Sequence, residues 1–364
     1  MTVLVTGASG FLGTAVVRGL LANGESPVRC FVRPSSHIGS LESLRHQYPH
    51  SPLEYVTGNL VSSTDVSRAL VGVTTVYHLA AQTRGAPASI FLNTVIASKR
   101  LLDGILLARP KRVILVSSLA VYGTSRLTGK AVIDETADLE QRPEKRDVYT
   151  QAKLRQELLF REYQDKAGFE LAILRPGVIY GRGGPEFSAR VGLVINGWLF
   201  HFGGHNLLPL TYVDNCAAAV ISLGNSGNVP QGVYNMVDDD LPTATEYLHG
   251  YRLHVGKIHS VRFPFCITRL LSALVEQYSV RSRGQIPPML TPYKSAAVWK
   301  EHKYDNARIK SIGWQQRVST NAALLETFAY LKSRKIGCEP AQSPSGGCTI
   351  DSPASSTELR VDAA

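Results

Sequence analysis

An apolar run, Val3-Leu4-Val5, leads straight into Thr6-Gly7-Ala8-Ser9-Gly10-Phe11-Leu12-Gly13 at the start of this 364-residue chain. No other stretch limits the fold so tightly. Glycines at 7, 10 and 13 lack the Cβ atoms that would stop the backbone from turning sharply and approaching a bound pyrophosphate. The helix that follows would present unpaired N–H groups to the same negative charge. Gly7, Ser9, Gly10, Phe11, Leu12 and Gly13 are therefore the expected cofactor loop. With no ligand, the same glycines would make only a tight strand-to-helix turn.

The first half of the chain continues in that rhythm. Short apolar runs at Val3–Thr6, Val28–Val32, Leu53–Val56, Thr75–Leu79, Arg112–Val116 and Leu171–Leu174 alternate with helical stretches such as Thr14–Leu21 and Val66–Leu70. Parallel strands need a crossover, so strands spaced by helices imply βαβ units. Right-handed crossovers then give an α/β fold, a Rossmann-type doubly wound parallel sheet with helices on both faces. Residues 1–175 are expected to form this nucleotide-binding domain, with 210–240 rejoining it through Leu210–Val213 and Val233–Val237. After Arg175-Pro176-Gly177 the alternation fades, and 176–209 with 241–336 are expected to make a smaller, interleaved substrate lobe. Thr320–Lys332 reads as a final helix, and 337–364, rich in Ser, Pro, Ala and Gly, as a disordered tail. The segment Phe263–Tyr278 sets Ile267, Leu270, Leu271, Leu274 and Val275 at helical spacing. It reads as a helix packed on the core, or as a surface that dips into lipid or lines an apolar substrate cleft.

Composition excludes several classes. No apolar stretch approaches the ~18 residues needed to span a bilayer, so no transmembrane segment is expected, and Val3-Leu4-Val5 reads as a strand and not a signal peptide. A cytoplasmic location is the resulting expectation, with peripheral membrane contact left open. Cys30, Cys216, Cys266, Cys338 and Cys348 are odd in number and scattered, which argues against structural disulfides and against a metal site. The net charge is +10, and the acidic segment from Gly337 onward contributes −3, leaving +13 on the rest. Those cations are dispersed, and a phosphate-rich cofactor would use some of them, so nucleic-acid binding is not expected.

Cofactor choice can be sought at the end of the second strand, where a carboxylate often bonds the ribose 2′-hydroxyl of NAD. Here the chain reads Cys30-Phe31-Val32-Arg33-Pro34-Ser35-Ser36. Arg33 would pair with a 2′-phosphate, so NADP(H) is favoured and NAD(H) stays open. Further on, Tyr149 and Lys153 stand one helical turn apart on a shared face. The ammonium would lower the phenol's pKa from its usual ~10 and could hold the nicotinamide ribose. Tyr149 would then act as general acid or base on a reacting oxygen, with Ser118, at the end of the strand Val113–Val116, hydrogen-bonding that oxygen.

These residues carry a resemblance. Thr6–Gly13, His78-Leu79-Ala80-Ala81, Ser117–Gly123, Tyr149–Lys153, Arg175–Gly181, Tyr212-Val213-Asp214-Asn215 and Ile312-Gly313-Trp314 are similar to the motifs of extended short-chain dehydrogenases/reductases. That group contains nucleotide-sugar epimerases and dehydratases, dihydroflavonol reductases and 3β-hydroxysteroid dehydrogenases. The resemblance covers about residues 1–335 and implies an NAD(P)-dependent enzyme acting on CH–OH groups, with Ser118, Tyr149 and Lys153 as its catalytic set. It also implies that Ala80 and Ala81 line the nicotinamide side of the cofactor and that Pro176 and Val178 lie beside the nicotinamide ring. The family's Gly-Asp-Leu appears as Gly58-Asn59-Leu60, which puts Asn59 and Leu60 at the adenine end, where an Asn amide can still bond the base. Its Asn-x-x-Gly-Thr helix appears only loosely, as Asn93–Ser98. By resemblance alone, a homodimer through the Tyr–Lys helix is plausible.

Sugar-nucleotide members of the family usually carry an Asn where this chain has Val178, and an Arg within the stretch that reads Asn206-Leu207-Leu208-Pro209-Leu210-Thr211. Losing both would leave a diphosphate poorly compensated. Arg33-Pro34, Leu290-Thr291-Pro292-Tyr293 and His302-Lys303-Tyr304-Asp305 resemble the hydroxysteroid-dehydrogenase-like branch instead. The expected substrate is therefore a hydrophobic alcohol or ketone, steroid-, flavonoid- or polyketide-like. A nucleotide sugar is the alternative, and a non-catalytic NADP sensor is disfavoured by the retained Tyr–Lys pair.

Overall fold

Branched aliphatic residues dominate seven strands that join in one sheet, labelled here in chain order: β1 (Thr2–Thr6), β2 (Val28–Val32), β3 (Leu53–Thr57), β4 (Val73–His78), β5 (Arg112–Val116), β6 (Glu170–Pro176) and β7 (Gly232–Met236). The computed structural model describes residues 2–336 apart from 26, 203, 226–229 and 283–289, so the expected tail at 337–364 lies outside the described residues. The strand order is β7-β6-β5-β4-β1-β2-β3, and every neighbouring pair is parallel. Strand β5 is buried along its whole length, as a central parallel strand covered by helices on both faces must be. Chain order reverses between β1 and β4, which opens a crevice at their carboxyl ends, the usual ligand position in such sheets.

The helix Phe11–Ala22 follows β1 and buries Leu12, Ala15, Val16 and Leu20. Gly13 lowers its intrinsic stability by about 1 kcal/mol relative to alanine. It is nonetheless required, because a Cβ there would lie 2.0 Å from the Gly7 carbonyl oxygen. A π-turn at Leu92–Ile96 precedes the helix Ala97–Ala108. The loosely matching stretch Asn93–Ser98 spans the join between the two. The helix Val148–Ala167 begins at Asp147, whose carboxylate accepts from the Thr150 N–H at 2.9 Å, and ends at Gly168 with φ 70°.

Two expectations from the sequence need correction. Of the two later runs, only β7 joins the main sheet; Leu210–Tyr212 pairs instead with Val178–Tyr180 in a separate parallel ladder. Gly177 makes this possible, since the Pro209 carbonyl oxygen passes 2.0 Å from where its Cβ would stand. Buried Asp238 then ties the ladder to β7, accepting from Tyr180 Oη at 3.0 Å and the Tyr212 N–H at 2.9 Å. The second correction concerns the helix expected at Phe263–Tyr278, which forms, but not in the reading that packs its apolar stripe on the core. It runs from Phe265 to Arg281 and turns Ile267, Leu270 and Leu274 outward, burying Thr268, Ser272 and Ser279. It grows out of a three-stranded sheet of Gly192–Ile195, Trp198–Phe202 and His259–Phe263. The final helix, Thr320–Ile336, forms as expected and extends past Lys332.

Candidate active site

Strand β5 delivers Ser117 and Ser118 to the carboxyl edge of the sheet, and extended backbone there sends them to opposite sides. Ser117 Oγ turns inward and donates to Glu157 Oε2 at 2.8 Å. Ser118 turns toward Tyr149, to which it is hydrogen-bonded, and its Oγ also accepts from the Ala120 N–H at 3.2 Å. Burial pushes the Tyr149 phenol above its ordinary pKa, and the bond to Ser118 pulls it partway back. The expectation that Lys153 would depress this phenol is not met. Lys153 Nζ donates instead to the Val116 carbonyl and to Gln156 Oε1, both at 2.9 Å. Burial drives its pKa down to about 7, against the opposing pull of Glu157.

Behind the trio lies a polar layer. Gln156 Nε2 donates to Ser98 Oγ at 2.7 Å and approaches His78 Nε2 at 3.2 Å, while His78 Nδ1 bonds Thr6 Oγ1 at 2.7 Å. His78 is fully buried and stacks on Phe160, and desolvation, helped by the charge of Lys153, lowers its pKa to about 3. It is a neutral spacer at working pH. Next to this layer, Glu157 is bonded by Arg175 through two nitrogens, one of them Nε at 3.1 Å, and by Arg161 at 3.0 Å. Burial alone would raise the Glu157 carboxyl, but these guanidinium groups and Ser117 hold it below the usual range. Arg175 lies over the Tyr122 ring at 4.5 Å, and Tyr122 Oη donates to Asn235 Oδ1 at 2.7 Å. None of Thr6, Ser98, Gln156, Glu157 or Arg175 was expected as part of the site. Two signals pointed to them: Gln156 lies three residues after Lys153 on one helix, and Arg175 ends an apolar strand where it needs a buried partner.

The cofactor positions gather at the switch-point crevice. Gly7 has φ +73°, and a Cβ there would lie 2.9 Å from the Ala80 N, so the loop after β1 crosses directly over Ala80. Gly10 caps the first helix without any side-chain bond, and no acidic residue occupies its first turn, which suits an anion. Phe11 reaches the Gly183–Gly184 turn, where an added Cβ at Gly184 would meet its ring at 3.0 Å. Arg33 is exposed at the end of β2, its N–H bonded to Ser36 Oγ at 3.1 Å. Asn59 is exposed after β3, and its Oδ1 accepts from the Val61 N–H at 3.2 Å, leaving its amide donors. Leu60 is buried, Ala81 and Val178 are partly buried, and Pro176 closes β6. These residues fit a dinucleotide, which when bound would supply or accept a hydride beside Tyr149.

A doubly wound sheet with a glycine loop at its switch point, and with Ser, Tyr and Lys converging beside it, defines a nicotinamide-dependent oxidoreductase. The sequence model of the NAD dependent epimerase/dehydratase family matches residues 3–236, and the chain belongs to that family. It is an extended short-chain dehydrogenase/reductase, an enzyme acting on CH–OH groups. The sterol-4-alpha-carboxylate 3-dehydrogenase (decarboxylating) of Mus musculus is 26% identical over 91% of this chain and 92% of its own length. A 3-beta-hydroxysteroid dehydrogenase of Mycolicibacterium neoaurum is 28% identical over 52% of this chain and 50% of its own. Among solved structures, the UDP-glucuronic acid 4-epimerase of Bacillus cereus in complex with NAD matches with a TM-score of 0.68 at 20% identity, covering 92% of this chain and 99% of that one. That likeness shows the fold. Among the described residues, no helix is long and apolar enough to cross a membrane.

Proposed function

We propose that this chain interconverts a ketone and a secondary alcohol on a hydrophobic, steroid-, flavonoid- or polyketide-like molecule, using NADP(H) in preference to NAD(H). The observation that carries the substrate reading is apolar: Val178 and fully buried Leu208 stand where sugar-nucleotide relatives would set phosphate-binding side chains. A diphosphate there would lose hydration without matching partners. The sterol and hydroxysteroid dehydrogenases among its relatives support the same reading. Exposed Arg33, with no acid beside it at the end of β2, supports NADP. Residues 176–209 and 241–336 would hold the substrate over the cofactor crevice.

In this reading Tyr149 Oη donates its proton to the carbonyl oxygen as that oxygen gains charge, and takes it back in the reverse direction. Ser118 Oγ hydrogen-bonds the same oxygen. A phenol held above its ordinary pKa is protonated at neutral pH, so it is ready as a donor and suits reduction. Lys153 orients the ribose once it exchanges its bonds to Val116 and Gln156.

The test is turnover of hydrophobic ketones, alcohols and nucleotide sugars with NADPH and NADH, alongside thermal shifts with UDP and dTDP. Hydrophobic ketones should be reduced, and Tyr149→Phe should lower that rate by about 10²–10⁴-fold. Turnover of UDP- or dTDP-sugars, or stabilisation by the nucleotides and not by apolar ketones, would sink the substrate reading. Undiminished turnover by Tyr149→Phe would sink the role given to the phenol.

A further inference from the structure

We propose that the outer helix Phe265–Arg281 and the sheet face leading into it form a docking surface for anionic lipid bilayers. A surface helix of a globular protein normally turns its apolar stripe to the core. This helix does the reverse. Ile267, Leu270, Leu274 and Tyr278 follow one another at helical spacing along its exposed side, with Leu270 61% and Tyr278 61% accessible. The side turned inward carries hydroxyls: Thr268 and Ser272 are fully buried, and Ser272 Oγ meets Ser295 Oγ of the helix Pro292–Trp299 at 2.5 Å. Small residues let the two helices approach closely, which fixes the leucines on the outside.

The adjoining sheet shows the same inversion. Trp198 sits opposite Ile195 and His259 in register, and Phe200 opposite Leu193 and Val261, so these side chains share one face. Leu193, Ile195, Trp198 and Val261 on that face are exposed, whereas Leu199 and His201 on the other are buried. The hairpin turns at Asn196-Gly197, both with positive φ, which leaves Ile195 and Trp198 at its tip. Strand His259–Phe263 then passes through Pro264 directly into the outer helix. An exposed apolar surface of this extent on two successive elements marks a binding surface and not scattered exposure.

Charge selects the occupant. Around the outer helix and the turn that leads into its sheet, the chain carries Lys257, Arg269 and Arg281 against one acid, Glu276. In a two-fold contact with a second copy, this basic surround would face itself and repel. An anionic headgroup layer complements it, while leucines enter the acyl boundary and Trp198 and Tyr278 sit at the interface. The inference is independent of which substrate the site takes.

Vesicle flotation of the full chain tests it, using phosphatidylcholine alone and phosphatidylcholine mixed with phosphatidylglycerol. The protein should float with the anionic vesicles and release in high salt. Of its three tryptophans, Trp299 and Trp314 are buried, so a blue shift of emission on binding reports Trp198. The pair Leu270→Gln and Leu274→Gln should weaken binding about tenfold or more with an unchanged thermal midpoint. Ile195→Gln, on the hairpin tip, should weaken it from a separate element. Failure to float, equal binding to phosphatidylcholine alone, or binding untouched by both variants would overturn the proposal. So would a dimer that the leucine variants split.

Discussion

Replacing Lys153 by methionine should change how the stability of the cofactor-free protein depends on pH. Burial lowers this ammonium from 10.5 to about 7, and Glu157 recovers only part of the shift. In the unfolded chain it titrates near its ordinary value. Between the two values the unfolded chain holds a proton that the folded chain has released, so stability rises with pH across that window. Below it, both states are protonated and the buried ammonium exacts its full cost. At about 1.4 kcal/mol per pKa unit, the gap from 10.5 to about 7 amounts to about 5 kcal/mol, of which about 4 kcal/mol is gained between about pH 7 and pH 10.5. Methionine fills a similar volume and does not titrate. Urea unfolding of both proteins, stripped of cofactor, therefore isolates the lysine as a difference between two curves. Near pH 7 the methionine variant should be the more stable, even without the bonds to Val116 and Gln156. Toward about pH 10 the wild type should regain most of that difference, about 3–4 kcal/mol. Parallel curves, agreeing within about 1 kcal/mol over the whole range, would refute the claim that Lys153 is held at a desolvation cost.

Gln156→Glu sets a carboxylate beside Lys153 Nζ, where the amide oxygen now lies at 2.9 Å, and should raise the lysine's titration. The pH-dependent gain should then shrink, measured by the same unfolding curves. Arg175→Met strips the buried Glu157 of its main partner, and a loss of about 3–5 kcal/mol in unfolding free energy is expected; a loss under about 1 kcal/mol would mean that Arg161 suffices. Gly13→Ala improves helix propensity, yet its Cβ would collide with the Gly7 carbonyl. Cofactor affinity, followed by fluorescence titration, should fall about tenfold or more, and stability should fall as well.

The parts of this molecule that could be read from its residues are those whose cause is local. Strands β1 to β6 stand out because each is a short apolar run ended by a glycine, a proline or a change of period. Tyr149 and Lys153 stand out because four residues make one helical turn. What could not be read depends on choices between equally good partners. Leu210–Tyr212 is plainly a strand, but nothing within it says whether it adds to the main sheet or pairs with Val178–Tyr180; the bare backbone of Gly177, over thirty residues earlier, decides. Lys153 carries a charge that spacing assigns to Tyr149, yet Gln156 and the Val116 carbonyl offer stronger bonds at 2.9 Å, and the phenol is left to Ser118. The outer helix is the clearest case. Periodicity finds its leucine stripe without saying whether the stripe faces protein, and the direction is set by Thr268 and Ser272, residues that look like an ordinary solvated face until a neighbouring serine closes on them. Hydrophobic spacing identifies a surface that must be covered. Only the packing of its polar back shows that the described residues do not cover it.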